Sequence, residues 1–164
     1  MTEKRYHAVQ QWFKARPTAL KLMLAANQLL TVVVYLAYLI MLAVLAFSLD
    51  NRLWRAAIVP AVVFLSGSAI RSIINAPRPY EVYHTPALVN KDLEGQSFPS
   101  RHMFSAAVLA MCGLWLSKPL GIALGVVVVL MAPIRVLCGV HFIRDVVAGV
   151  LFGAVGGWIG FWVI

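Results

Sequence analysis

Residues 119–164 read PLGIALGVVVVLMAPIRVLCGVHFIRDVVAGVLFGAVGGWIGFWVI. No charge interrupts the run from Pro119 to Ile134 or the run from Val146 to Ile164, and between them stand Arg135, His141, Arg144 and Asp145. A spanning helix needs about 20 mostly apolar residues, because hydrocarbon offers no partner to an exposed backbone N–H or C=O. The two runs therefore read as consecutive membrane crossings joined by a short polar turn. Three more apolar runs precede them: roughly Leu22 to Leu49, Ala56 to Ile70, and Met103 to Ser117. The first is long enough to span with some tilt. The runs at 56–70, 103–117 and 119–134 reach spanning length only when their charged ends are counted in, namely Arg71, Arg101 with His102, and Arg135. Those charges then lie slightly inside the membrane plane, where an unpaired cation is costly and an ionisable residue is a functional candidate.

Composition points the same way. Of 164 residues, 62% are hydrophobic and 12% charged, against roughly 25% charged in soluble domains, and the mean hydropathy is +0.84. The expected fold is all-α: one membrane-embedded domain over residues 1–164, a polytopic bundle of about five transmembrane helices plus an N-terminal interfacial helix. The net charge of +8 does not imply nucleic acid, since most of the chain is too apolar to meet it in water. The partners it fits are the lipid bilayer itself and anionic lipid headgroups or a phosphorylated substrate. Cys112 and Cys138 both lie in apolar runs, so no disulfide framework is expected.

Residues 1–21 carry Lys4, Arg5, Lys14, Arg16 and Lys21 among Tyr6, Val9, Trp12, Phe13 and Leu20. Val9, Trp12, Phe13 and Arg16 follow helical spacing, which suits an amphipathic helix at the interface and equally a basic flank to the first span. The first apolar run is too long for a signal-peptide core, so no cleavable signal is expected. The single long connection, residues 77–100 (PRPYEVYHTPALVNKDLEGQSFPS), has the length of a lid or site loop.

Alternate crossings put the end of run two, the start of run three, the end of run four and the start of run five on one membrane face. That face collects Arg71, Arg78, Ser100, Arg101, His102, Arg135, His141, Arg144 and Asp145, while Asp50, Arg52, Arg55 and Lys118 go to the other. Snorkelling alone would not sort histidines and arginines this way. Arg71 is expected in a last helical turn, and Arg78 lies between Pro77 and Pro79 on a stiffened exit. Ser100 is placed as an N-cap with His102 in the first turn, and a helix N-terminus offers free N–H groups to phosphate. His141 and Asp145, four apart, share a helix face, and a carboxylate on one imidazole nitrogen leaves the other free as base or nucleophile.

These residues resemble the signature of the type 2 phosphatidic acid phosphatase family, whose motifs run K-x6-R-P, P-S-G-H and S-R-x5-H-x3-D. Here they read Arg71 (x6) Arg78-Pro79, then Pro99-Ser100-Arg101-His102, then Ile134-Arg135 (x5) His141 (x3) Asp145. The spacings match, over about residues 56–155. Arginine replaces the lysine at Arg71 and keeps its charge. Arg101 stands where the family has glycine, adding a cation that bears on headgroup selection, and Ile134 removes a hydroxyl. The resemblance implies that His141 attacks phosphorus to form a phosphohistidine, that Asp145 orients it and that His102 protonates the leaving oxygen. Arg71, Arg78, Arg135 and the region of Ser100 and Arg101 would bind the phosphoryl oxygens. No metal or other cofactor is expected, because arginines supply the charge. Substrates of this kind include phosphatidylglycerophosphate, phosphatidic acid and undecaprenyl diphosphate, with the loop from Tyr80 to Phe98 offering Tyr83, His84 and Leu88 as a lid. The resemblance implies a cell-membrane protein with an extracytoplasmic site, whereas the basic N-terminus with five spans places the site in the cytoplasm by the positive-inside rule. The rival readings are a lipid phosphotransferase with the same site and a non-catalytic anion-binding membrane protein. Product analysis separates them, since free inorganic phosphate means hydrolysis.

Overall fold

α-Helices form where the sequence is apolar, and in a computed structural model that describes residues 2–89 and 94–164 they supply every regular element among those residues. In chain order they are α1 (Glu3–Lys14), α2 (Pro17–Phe47), α3 (Arg52–Ile74), the single turn α4 (Pro79–Val82), α5 (Arg101–Leu116), α6 (Lys118–Leu137) and α7 (Ile143–Trp158), which runs on as a π-helical stretch Ile159–Val163. The segments Pro17–Phe47, Arg52–Val82, Lys118–Leu137 and Ile143–Val163 are each long and apolar enough to cross a bilayer. The protein is a multi-pass membrane protein.

The expected third crossing is the exception in length. α5 has 16 residues, about 24 Å of helix against a hydrocarbon core of about 30 Å. It is also the most enclosed element, with α2, α3, α6 and α7 all packed on it and Met103 through Ala110 buried without interruption. A helix packed against four neighbours does not have to match the bilayer by itself.

What brings α7 so close to α5 is a stripe of glycines. A side-chain carbon at Gly149 would stand 2.8 Å from the Ser100 carbonyl oxygen, one at Gly153 would stand 2.3 Å from that of Phe104, and one at Gly157 would stand 2.6 Å from Met111 Cβ. In a membrane, small residues every fourth position are how two helices gain close packing without a hydrophobic force between them. The approach has a functional consequence, because it lets the Ser100 N–H donate to the Asp145 carbonyl at 2.9 Å and so locks the starts of α5 and α7 together. Replacing Gly153 with valine is expected to destabilise the bundle by about 1–3 kcal/mol, read as a lower unfolding temperature in detergent. Gly125→Ala is the control, since nothing lies within 4 Å of the added carbon there, and an equal loss in both variants would refute the packing explanation.

α3 contains Pro60, whose ring nitrogen cannot donate to the carbonyl of Ala56. The Tyr38 hydroxyl takes that carbonyl instead, at 3.1 Å, tying α2 to α3.

The expected N-terminal helix is present as α1, and its Trp12 side is turned away from the rest of the protein. Trp12 is 47% exposed and Arg16, beyond the end of the helix, lies over its ring at 4.5 Å. The protein-facing side is Tyr6 and Gln10, both buried. The Tyr6 hydroxyl donates to the carbonyls of Thr85 (3.2 Å) and Gly139 (3.4 Å), and Gln10 Nε2 to that of Leu137 (3.4 Å). Burial pushes the Tyr6 phenol up to about 12, so it remains a donor. Gly139 is required in two ways: its φ is +77°, and a Cβ there would stand 2.7 Å from both Tyr6 Oη and Gln10 Nε2. α1 thus clasps the turn leading into His141.

Candidate active site

Three chain segments converge at the end of the bundle that α1 covers: the α3 exit, the start of α5 and the α6–α7 turn. Arg71, in the last turn of α3, is buried, and its Nη1 donates to the carbonyls of Ser97 (3.4 Å) and Pro99. α3 stops at Asn75, which adopts the left-handed conformation and accepts the Gln96 N–H through its side chain at 3.2 Å. Arg78 follows, buried, with Nε donating to the Gly95 carbonyl at 2.8 Å. Glu81 accepts the N–H groups of Gly95 (2.9 Å) and Arg78 (3.3 Å). The two arginines therefore shape the loop that returns to α5 while keeping donors in reserve.

Arg71, Arg78, Glu94, Gln96, Arg101, His102 and His141 line one cavity of about 150 Å³, the room of about five waters. Ser100, Arg135 and Asp145 stand behind these residues rather than in the lining. Arg71 is within electrostatic reach of Arg101, Arg78 and Arg135, with Asp145 as the countercharge. Among the described residues, Arg71 Nε, Arg78 Nη1, Arg135 Nε and Ser100 Oγ are buried without a hydrogen-bond partner. Buried donors left open are costly and rare, so a cluster of them marks a place built for an acceptor-rich anion. Ser100 does begin α5, but its hydroxyl makes no capping bond.

The two histidines are held in distinct ways. Arg135 Nη2 lies 3.3 Å from His102 Nδ1 and its Nη1 donates to Asn27 Oδ1 at 2.9 Å. Arginine has no acceptor, so this contact is a hydrogen bond only while Nδ1 is unprotonated. His141 Nδ1 is 3.9 Å from Asp145 Oδ2, too far for the direct bond that the i, i+4 spacing suggests. Ser97 fills the gap, its Oγ 2.6 Å from Asp145 Oδ2 and 3.4 Å from His141 Nδ1. The Phe142 N–H donates to the same carboxylate oxygen at 2.9 Å. Burial holds the His141 imidazole far below its usual range, at about 4, so near neutral pH it is uncharged and its outer nitrogen keeps a lone pair.

Tyr83, His84 and Leu88 do not line the cavity. Tyr83 packs tilted against Tyr6 (5.2 Å) and edge-on to Phe142 (5.9 Å), and the Leu88 N–H donates to the Cys138 carbonyl at 3.0 Å. Apolar and aromatic residues of this loop gain more by burial against α1 and the α6–α7 turn than over a charged cavity. Glu94 and Gln96 line it instead, and residues 90–93 of the expected lid lie outside the described residues. Ser97, Asn27 and Gln96 were not legible as site residues in the sequence. Ser97 and Gln96 precede the Pro99-Ser100 signal within an irregular loop, and Asn27 lies 108 positions from Arg135.

Residues 52–164 match the sequence profile of the PAP2 superfamily, more than half of the chain. The chain belongs to the PAP2 superfamily. No curated protein sequence matches it. Two solved structures resemble it over nearly its whole length. One is a transmembrane PAP2-type phosphatidylglycerolphosphate phosphatase from Bacillus subtilis, with TM-score 0.66 and 22% identity over 97% of this chain and 85% of that one. The other is Aquifex aeolicus LpxE, with TM-score 0.71 and 21% identity over 96% and 92%. At such identities the likeness shows the PAP2 fold, and the match extends to the N-terminal helices that the family profile leaves out.

Proposed function

We propose that this PAP2 protein is an integral-membrane lipid phosphatase that hydrolyses a phosphomonoester or diphosphate headgroup through a phosphohistidine. The observation that carries the reading is the pairing, around one cavity, of a buried His141 bridged through Ser97 to Asp145 with His102, among buried arginine nitrogens that lack partners. Residues 52–164 belong to the PAP2 family, and the Bacillus subtilis protein of the same fold acts on a lipid phosphate, which supports a lipid substrate here. The site also sits at helix ends, where a tail can stay in the bilayer while a phosphate reaches the arginines.

The chemistry follows from the placements. The outer nitrogen of His141 attacks phosphorus, a P–N bond forms and the bond from phosphorus to the lipid oxygen breaks. That oxygen takes a proton from His102 in its imidazolium form, which is left neutral. The imidazole gains positive charge as it bonds, and the Asp145 carboxylate, relayed by Ser97, stabilises it. Water then attacks phosphorus, gives its proton to His102 and restores His141. Arg71 and Arg78 neutralise the equatorial oxygens, where most of the charge lies.

The test is inorganic phosphate release by the purified full chain in detergent with EDTA present. Phosphatidylglycerophosphate, phosphatidic acid and undecaprenyl diphosphate are the substrates. Release that EDTA leaves intact is expected from at least one of them. Well-folded protein that releases none, or release that the chelator abolishes, would overturn the metal-free phosphatase reading.

A further inference from the structure

Arg101 has no part in the chemistry just described, yet it lines the same cavity. Among the described residues it has no hydrogen-bond or carboxylate partner, and its guanidinium lies 5.7 Å from the centre of the Phe64 ring. Phe64 also lines a second cavity of about 250 Å³, enclosed by Tyr35, Tyr38, Pro60, Ser105 and Leu109 of α2, α3 and α5. Ser105 is one turn from Arg101 on α5, so the two cavities are neighbours across the Arg101–Phe64 contact. Tyr35 of α2 (41%) and Phe64 of α3 (39%) are both exposed on it, so the cavity reaches the outer surface of the bundle between those helices. It is apolar apart from the hydroxyls of Tyr35, Tyr38 and Ser105.

A lipid with its scissile phosphoryl group among Arg71, Arg78 and His141 and its tail leaving through this opening must carry its linker past the Arg101 guanidinium. A neutral ester linkage gives that cation nothing to pair with while it is being desolvated, which is unfavourable. A second phosphate at that point gives it a charge-assisted, two-pronged partner. We propose that Arg101 forms a second phosphate subsite, which makes the protein prefer lipids bearing another phosphate between the scissile phosphoryl group and the tail. This rests on the phosphatase reading and names its substrate class. Two kinds of lipid share that chemistry: a polyprenyl diphosphate, with the phosphates adjacent, and phosphatidylglycerophosphate, with a glycerol between them.

The experiment compares kcat/KM for phosphate release from four lipids in mixed micelles: these two, polyprenyl monophosphate and phosphatidic acid. The wild-type chain is expected to favour the two-phosphate lipid by at least about tenfold over the single-phosphate lipid with the same tail, the size expected of one charge-assisted bond. Arg101→Gly is expected to shrink that ratio by about tenfold, and Arg101→Lys to shrink it less. The tail series showing the larger change identifies the source of the second phosphate. A wild-type protein without the preference overturns the proposal whatever the variants do, and so does a ratio that Arg101→Gly leaves intact. Phosphate release from none of the four would instead sink the phosphatase reading on which it rests.

Discussion

Phosphate release by a His141→Ala protein is expected to fall by roughly a thousandfold or more, the scale on which removing a covalent nucleophile acts. His141 is 2% exposed and lines the cavity together with Arg71 and Arg78. Removing the imidazole leaves the arginines free to bind phosphate but leaves no atom to attack it. The variant should therefore still bind a phosphorylated lipid, and binding measured alongside turnover separates loss of chemistry from loss of the site. A His141→Ala protein that retained a tenth of the wild-type rate would assign the attack to another group and leave His141 a structural part of the α6–α7 turn.

Asp145→Asn is expected to lower kcat by about a hundredfold to a thousandfold with little change in KM, by analogy with the loss of a carboxylate that stabilises an imidazole gaining charge. Asp145 is 0% exposed, and one of its oxygens accepts from both Ser97 and the Phe142 N–H. Asparagine keeps the volume and can still accept those bonds. What disappears is the negative charge facing the imidazole as its P–N bond forms. Ser97→Ala should cost less, because it breaks the bridge but retains the carboxylate 3.9 Å away. Equal rates in wild type and Asp145→Asn, at matched folding, would mean that the imidazole needs no charge partner and that Asp145 serves only to cap α7.

Where the membrane spans lie was legible from charge spacing alone, because hydrocarbon tolerates neither an open backbone nor a stray cation, and those prohibitions act on the linear sequence. For the same reason the charged residues marked one end of the bundle as the site. The separations 71–78, 99–102, 135–141 and 141–145 then specified which side chains to look for. The glycines at 149, 153 and 157 were equally present in the sequence, but whether such a stripe packs a neighbour or faces lipid depends on which helix lies opposite.

The sequence by itself determined the membrane class and which charged side chains gather at one end of the bundle, since both follow from the solvent and from side-chain type. Only the tertiary structure decided who holds whom. It placed Ser97 between His141 and Asp145, set Arg135 and Asn27 behind His102, docked α1 through Tyr6 and Gln10, and brought Arg101 of the charged cavity against Phe64 of the apolar one. Those contacts join residues far apart in the chain. A few ångströms of helix approach, governed by side-chain volume at Gly149 and Gly153, decide whether they form at all, and no local pattern encodes a distance of that kind.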